Sequence, residues 1–154
     1  MYSRILVAVD ESDTSRHALQ QAIELARKLS ATLRMIHVLD MSWLVIGPEV
    51  AIDTAAMSAA RRGVGEGIIA AARDAARAAG FEAEDALIET ETPIQQVAEA
   101  IAKEASRWGA DLVVLGTHGR RGFQHLMLGS VAERVVRRSV VPVLLIPSLQ
   151  APSS

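Results

Sequence analysis

The chain has 154 residues, half of them hydrophobic, which is enough to bury one substantial core. Its 16 basic and 18 acidic residues nearly cancel and only 3% of residues are aromatic, so neither charge nor base stacking favours nucleic-acid binding. Cysteine is absent, which excludes disulfides and thiol catalysis, and since we find no export leader or apolar stretch of ~20 residues, we expect a cytoplasmic protein without membrane contacts.

Strand and helix patterns alternate through the first half of the chain. An apolar run predicts a strand over residues 2–9, and helically spaced apolar residues predict a helix over 12–29. A second strand is predicted over 32–38, followed by an alanine-rich helix over 54–79. The glycines at positions 63, 65 and 67 lie inside that helical pattern and follow no strand. We therefore interpret them as a weak or kinked part of the helix, not as a phosphate loop.

The alternation continues to the carboxyl terminus. Residues 83–89 predict a third strand, and Thr92-Pro93-Ile94-Gln95 has the order of a capping box with proline at the first helical position, predicting a helix up to Gly109. A fourth strand is predicted over 111–115, a helix over 130–138, and a last strand that starts at Val141 and ends at Ile146. We expect one nucleotide-binding domain over residues 1–147 and a frayed tail over 148–154.

Five strands alternating with helices, and apolar on both faces, predict a doubly wound α/β domain. Its fold class is a Rossmann-like, five-stranded parallel sheet in the order 3-2-1-4-5 with helices on both faces. Ligands bind such sheets beyond the carboxyl ends of the strands, where the winding reverses, here between the first and fourth strands. Asp10 ends the first strand and Gly116 follows the fourth. Both are therefore expected in one crevice.

Spaced glycines surround the loop after the fourth strand. Gly116 and Gly119 let the backbone turn and expose N–H groups, and Gly129-Ser130 opens the following helix, where unpaired amides and the helix dipole attract anions. Taken singly, Gly116 and Gly119 could simply form a turn, and Gly129 could simply allow close helix packing. Together at one predicted crevice they favour a phosphate cradle.

Asp10 has two alternative roles, as a cap of the first helix or as an acceptor of hydrogen bonds from ribose hydroxyls. We favour the ribose role because the glycine loop lies nearby. Arg120 and Arg121 are interpreted as exposed rather than phosphate-binding, and His17 and His37 as structural. His118 and His125 lack a recognised metal-ligand spacing, so we predict no metal site.

The sequence also lacks the parts of common catalytic sites. No lysine follows Lys103, so the phosphate loop has no P-loop lysine, and no serine lies in a Gly-x-Ser-x-Gly elbow. No pair of carboxylates flanks the glycine loop. We therefore predict no catalytic residues, and binding without fast turnover.

The spaced glycines 116, 119 and 129, with Ser130 and the final apolar strand up to Pro147, resemble the signature of the universal stress protein family, in its ATP-binding branch. The stretch from Ile5 to Ser12 resembles the family's first strand. This resemblance implies ATP as the ligand, with or without Mg²⁺. Its adenine would lie near Ala8, Val9, Asp10 and Val38, its ribose on Asp10, and its phosphates on Gly116, Gly119, Gly129 and Ser130, with Leu115 and Val131 lining the site. Some family members have proline at the position of Ala8.

The function implied is that of an ATP-binding, nucleotide-dependent regulatory or stress-response module with an unknown protein partner. The last strand, from Val141 to Ile146, is an apolar edge strand without charge, and both this pattern and the resemblance predict a homodimer through it. Two alternatives stay open at this point. One is a slow ATPase or nucleotidyl- or phosphoryl-transferring enzyme, and the other is a nucleotide-independent dimeric scaffold.

Overall fold

The computed structural model describes residues 1–41, 54–92, 95–117 and 128–148. Strands and helices alternate along these ranges, and all strand pairs are parallel in the order β3-β2-β1-β4-β5, as predicted. The elements are β1 (Arg4–Ala8), α1 (Asp13–Leu29), β2 (Thr32–Leu39), α2 (Thr54–Ala78), β3 (Glu84–Glu89), α3 (Val97–Trp108), β4 (Leu112–Gly116), α4 (Ser130–Arg138) and β5 (Val143–Ile146).

Two apolar layers cover the sheet, because neighbouring side chains of a strand point to opposite faces. On one face Ile5, Val7 and Met35 pack against α1 and α2. On the other face Leu6 and Ile36 pack against α3 and α4. The central strands β1 and β4 are buried on both faces, which explains why their sequences are continuous apolar runs.

The third helix begins later than predicted. One of the two expected capping contacts forms, since the Thr92 hydroxyl accepts from the Gln95 N–H at 3.1 Å. The second is displaced by one residue, since Gln95 Oε1 accepts from the Glu91 N–H at 2.6 Å and not from that of Thr92. However, the backbone of Gln96 is extended, with φ −87° and ψ 156°, and α3 starts at Val97. The predicted start at Pro93, which lies outside the described residues, is therefore wrong. The side-chain bonds of Thr92 and Gln95 therefore lie outside α3.

The second helix runs without interruption through its three glycines, which confirms the helical interpretation. Gly65 is the one that lies against the sheet. A β-carbon there would come within 2.8 Å of Leu39 Cδ2 and 2.9 Å of Leu87 Cδ1, whereas Gly63 and Gly67 face open space. The glycine at 65 therefore lets α2 approach the sheet closely.

Two strands begin two residues later than predicted. β1 starts at Arg4, not at residue 2, and the edge strand β5 starts at Val143, not at 141. Pro142 precedes β5 and has no N–H to donate, although its carbonyl accepts from the Val113 N–H at 3.0 Å. Within the described ranges, no helix is both long and apolar enough to cross a membrane.

Candidate functional site

The carboxyl ends of β1, β2 and β4 meet at one edge of the sheet, because the strands are parallel neighbours. Asp10 follows β1 by two residues, and Gly116 is the last residue of β4. The start of α4 is tied to the same edge, since the Gly129 N–H donates to the Thr117 carbonyl at 2.7 Å. The structure thus brings Asp10, Gly116, Gly129 and Ser130 to the edge at which the winding reverses, as the sequence predicts.

Gly116 packs tightly against the first helix. A β-carbon on Gly116 would lie 2.6 Å from Thr14 Cγ2 and 3.3 Å from the Thr14 backbone carbon. Among the described glycines, positive φ occurs at Gly80 and Gly109 and not at Gly116. The missing side chain of Gly116 therefore makes room for α1, a packing role that the sequence analysis considered for Gly129 and not for Gly116.

The amides around the α4 start divide into two groups. In the first group, the Thr117 N–H donates to the Ile146 carbonyl at 3.0 Å, and the Gly129 N–H donates to the Thr117 carbonyl at 2.7 Å. The expectation that Gly129 presents a bare N–H is therefore wrong, because that group closes the loop. The first intrahelical bond of α4 runs from Glu133 to Gly129, and Gly129 offers no side-chain cap. Within the described part of the chain, the amides of residues 130–132 are thus left open.

The remaining loop predictions lie outside the described residues. They concern Gly119 as a phosphate contact, Arg120 and Arg121 as exposed side chains, and His118 and His125 as residues without a metal. In the described ranges, no three or more His, Cys, Asp or Glu side chains are grouped so that they could hold a metal ion. The prediction of no metal site stays a prediction.

Asp10 is held by the turn into α1 without being its cap. Asp10 Oδ1 accepts from the Ser12 N–H at 2.7 Å. The N-cap of α1 is Ser12, whose hydroxyl accepts from the Ser15 N–H at 3.1 Å. Among the described residues, no donor reaches the second carboxylate oxygen of Asp10. The half-buried side chain therefore keeps one acceptor for a ligand.

The predicted apolar lining divides between the two faces of the sheet. Ala8, Val38 and Leu115 lie on the face covered by α3 and α4. Val9 is buried on the opposite face, beside α1 and α2. Its side chain therefore cannot line a site that the other three form, and only its backbone belongs to this edge.

A cavity of about 310 Å³ opens between the first turns of α3 and α4. Ser130 and Val131 line it, and Val131 is 40% exposed. The sequence analysis missed the other lining residues, which are Asp40, Gln95, Gln96, Val97, Ala98 and Arg134. Asp40 directly follows β2, much as Asp10 follows β1, and Arg134 lies one helical turn after Ser130. These two sequence positions could have identified Asp40 and Arg134 as site residues.

The cavity combines groups of opposite character. Arg134 donates a hydrogen bond to the side-chain oxygen of Gln96, and its guanidinium lies on the same cavity as the open amides of α4. These groups favour an anion. Asp40 lines the same cavity and has a partner of its own within the protein. The basic side chain and the open amides suit a ligand that carries a phosphate.

Comparison with known proteins matches the whole described fold. The profile of the universal stress protein family matches residues 1–147. The curated universal stress protein YxiE of Bacillus subtilis is 32% identical, with 95% of this chain and 99% of YxiE covered. A crystal structure from the same family, from Burkholderia pseudomallei, is 36% identical with a TM-score of 0.76, over 95% of this chain and 96% of that one.

Two similar structures contain adenine nucleotides. The universal stress protein of Archaeoglobus fulgidus in complex with dAMP is 26% identical with a TM-score of 0.65, over 94% of this chain and 98% of that one. A universal stress protein in complex with cAMP is also 26% identical, with a TM-score of 0.64, over 96% of this chain and 98% of that one.

Proposed function

The chain belongs to the universal stress protein family, and we propose that it is an ATP-binding regulatory module of the stress response. The observation that carries the proposal is the convergence, at the point where the winding reverses, of the Asp10 carboxylate with the uncapped start of α4. The dAMP and cAMP complexes of similar proteins support an adenine nucleotide. ATP itself, alone or with Mg²⁺, is our finer proposal, and the domain that binds it is residues 1–147.

The ribose is assigned to Asp10. One of its oxygens is used by the Ser12 N–H, and the other is directed to no described donor, so it is available to ribose hydroxyls. Ala8, Val38 and Leu115, which belong to the apolar layer on the face covered by α3 and α4, are assigned to the adenine. This combination of apolar surface and carboxylate suits a nucleoside.

The phosphates are assigned to the start of α4. Open amides of residues 130–132 and the positive end of the helix dipole stabilise negative charge. Gly116, Gly119 and Gly129 remain the proposed loop glycines, with the Gly129 amide engaged by Thr117. The Ser130 hydroxyl and the Val131 backbone lie where the phosphate chain would meet the 310 Å³ cavity.

Calorimetry with three ligands tests the assignment. We expect wild-type protein to bind ATP, adenosine and tripolyphosphate, and Asp10→Ala to weaken ATP and adenosine about tenfold with little effect on tripolyphosphate. Asp13→Ala is the matched control, since this nearby carboxylate is exposed and pairs with Arg16. Equal losses for all three ligands would contradict the ribose role. Mass spectrometry of molecules released on denaturation identifies the nucleotide that the purified protein carries.

We further propose that ATP is bound with slow turnover. The chain has no lysine after Lys103, so the phosphate-transfer lysine of P-loop enzymes has no counterpart in the loop. Hydrolysis with magnesium should be well below the ~10 per second typical of enzymes. A rate at or above that value, lost in Asp10→Ala, would support an enzyme instead.

We also propose a cytoplasmic homodimer that pairs through β5 and acts on a regulatory protein partner. β5 is an edge strand, and Leu144 on it is 38% exposed while Val140 before it is 85% exposed. Val143 and Leu145 pack towards the core, so Leu144 is the better position for a charge. We expect Leu144→Lys to give monomers by light scattering, whereas Val64→Lys, an exposed apolar position on α2, leaves dimers. A monomeric wild type would refute the pairing.

A further inference from the structure

The peptide bond between Val9 and Asp10 is held at both ends by side chains. The Val9 carbonyl lies 2.7 Å from Nδ1 of His37 on β2. The Asp10 N–H donates to the Ser15 hydroxyl on α1 at 2.8 Å. The last backbone hydrogen bond between the two segments runs from the Val9 N–H to the Ile36 carbonyl at 2.8 Å, directly before this peptide bond. Two side chains from different elements therefore replace strand pairing where the chain turns towards the proposed nucleotide site.

The His37 contact defines the proton on its ring. A carbonyl oxygen only accepts hydrogen bonds, so a nitrogen at 2.7 Å must carry a hydrogen. His37 is thus protonated on Nδ1. The ring lies on the face of the sheet that α2 covers. A β-carbon built on Gly65 of α2 would come within 3.4 Å of His37 Cδ2. The glycine of α2 leaves space for the ring in this orientation.

His37 does not lie among the residues expected to contact the nucleotide. It is two residues beyond Met35, so its side chain points to the α1 and α2 face. Ala8, Val38 and Leu115 are on the opposite face. Any effect of His37 on the ligand must therefore pass through the Val9–Asp10 peptide.

Resting on the proposed function, we propose that His37, together with Ser15, is a positioning residue for the nucleoside. By fixing the plane of the Val9–Asp10 peptide, the pair sets the direction of the Asp10 side chain before the ligand arrives. A preorganised carboxylate loses less conformational freedom on binding ribose, and so binds it more tightly. The hydrogen bonds of the two side chains to the Val9–Asp10 peptide do not involve the start of α4, which would hold the phosphates.

The test compares variants that differ in one donor. His37→Leu keeps much of the volume and removes the N–H, whereas His37→Asn places an amide N–H near the position of Nδ1. We expect His37→Leu to weaken adenosine and ATP about fivefold, the effect of one lost hydrogen bond, with tripolyphosphate affinity unchanged. His37→Asn should retain most of the affinity. Ser15→Ala should reproduce the selectivity of His37→Leu.

A double-mutant cycle separates positioning from general stability. If His37 acts through Asp10, His37→Leu should cost adenosine binding almost nothing further in an Asp10→Ala background. An equal loss in both backgrounds, a loss that extends to tripolyphosphate, or wild-type adenosine affinity in folded His37→Leu would overturn the positioning role. A wild-type protein that binds neither adenosine nor ATP would overturn the proposed function itself, and that outcome is visible before any variant is made.

Discussion

The two edges of the sheet carry similar polar residues that have different roles. At the amino edge, Asp111 accepts from the Ser3 and Arg4 N–H groups, both at 2.9 Å, and from the Ser3 hydroxyl at 3.0 Å. At the carboxyl edge, Asp10 accepts one backbone N–H, and α3 and α4 start without a side-chain cap. The amino edge joins elements to one another, while the carboxyl edge leaves donors and an acceptor available.

The pairing at the amino edge extends across several elements. The Arg4 guanidinium lies 4.0 Å above the Trp108 ring and donates to the Trp108 carbonyl at 2.7 Å. Arg34, with 14% of its side chain exposed, reaches Glu84 and the buried Glu104, both at 3.3 Å. These contacts join β1, β2, β3 and α3. Mutations there are expected to change folding stability, and mutations at the carboxyl edge to change ligand affinity.

Asp111→Asn is the most direct test of the amino edge. The asparagine retains one acceptor and loses the charge, so we expect the free energy of unfolding in urea to fall by about 2 kcal/mol at neutral pH. ATP affinity should be unchanged. Asp13→Asn, at an exposed position, serves as control and should change stability by less than about 0.5 kcal/mol. A loss of ATP affinity in folded Asp111→Asn would mean that the two edges are not separate.

The stability contributed by Asp111 should depend on pH in a defined direction. Burial raises the pKa of the Asp111 carboxyl, but the hydrogen bonds from Ser3 and Arg4 outweigh burial and hold it below its usual value of 3.8. A group with a lowered folded-state pKa contributes fully above its unfolded value and loses that contribution as pH falls through the folded value. The stability difference between wild type and Asp111→Asn should therefore shrink as pH falls below about 4. A constant difference down to pH 2 would refute this account.

Gly129→Val tests the carboxyl edge. The buried glycine is the N-cap of α4, and a branched side chain there obstructs the approach of a phosphate to the backbone. We expect ATP and tripolyphosphate affinity to fall at least tenfold by calorimetry, with about 1 kcal/mol lost in stability because valine is a poor N-cap. Gly63→Ala is the control, since a β-carbon there meets open space. Wild-type affinity in a folded Gly129→Val protein would refute the phosphate assignment.

The smallest effect is expected for an ion pair on the rim of the amino edge. The hydrogen bond from Arg73 lowers the pKa of the Asp85 carboxyl, and the two side chains are 2.9 Å apart but 40% and 22% exposed. Solvent screens such a pair, so Arg73→Met should lower the free energy of unfolding in urea much less than Asp111→Asn does. If Arg73→Met lowered the free energy of unfolding as much as Asp111→Asn, the ion pair at the rim would stabilise the fold as much as the hydrogen bonds of Asp111 do.

The sequence by itself determined the strand order and the position of Asp10, Gly116 and Ser130 at the edge where we propose the site. Apolar runs and helical spacing are local patterns, and the rules for parallel sheets convert them into a topology with little freedom. Asp10 was found because it directly follows a strand. The same reasoning, applied to Asp40 after β2, would have found that residue as well.

Only the tertiary structure decided what individual residues do at that edge. The packing of Gly116 on Thr14, the burial of Val9 on the far face, and the bond from His37 to the Val9 carbonyl each join segments distant in sequence. The late start of α3 follows from the extended backbone of Gln96, which the capping-box pattern does not predict. Local patterns predict which elements form, but the distances between elements depend on how side chains pack across them, and a single sequence carries no record of that packing.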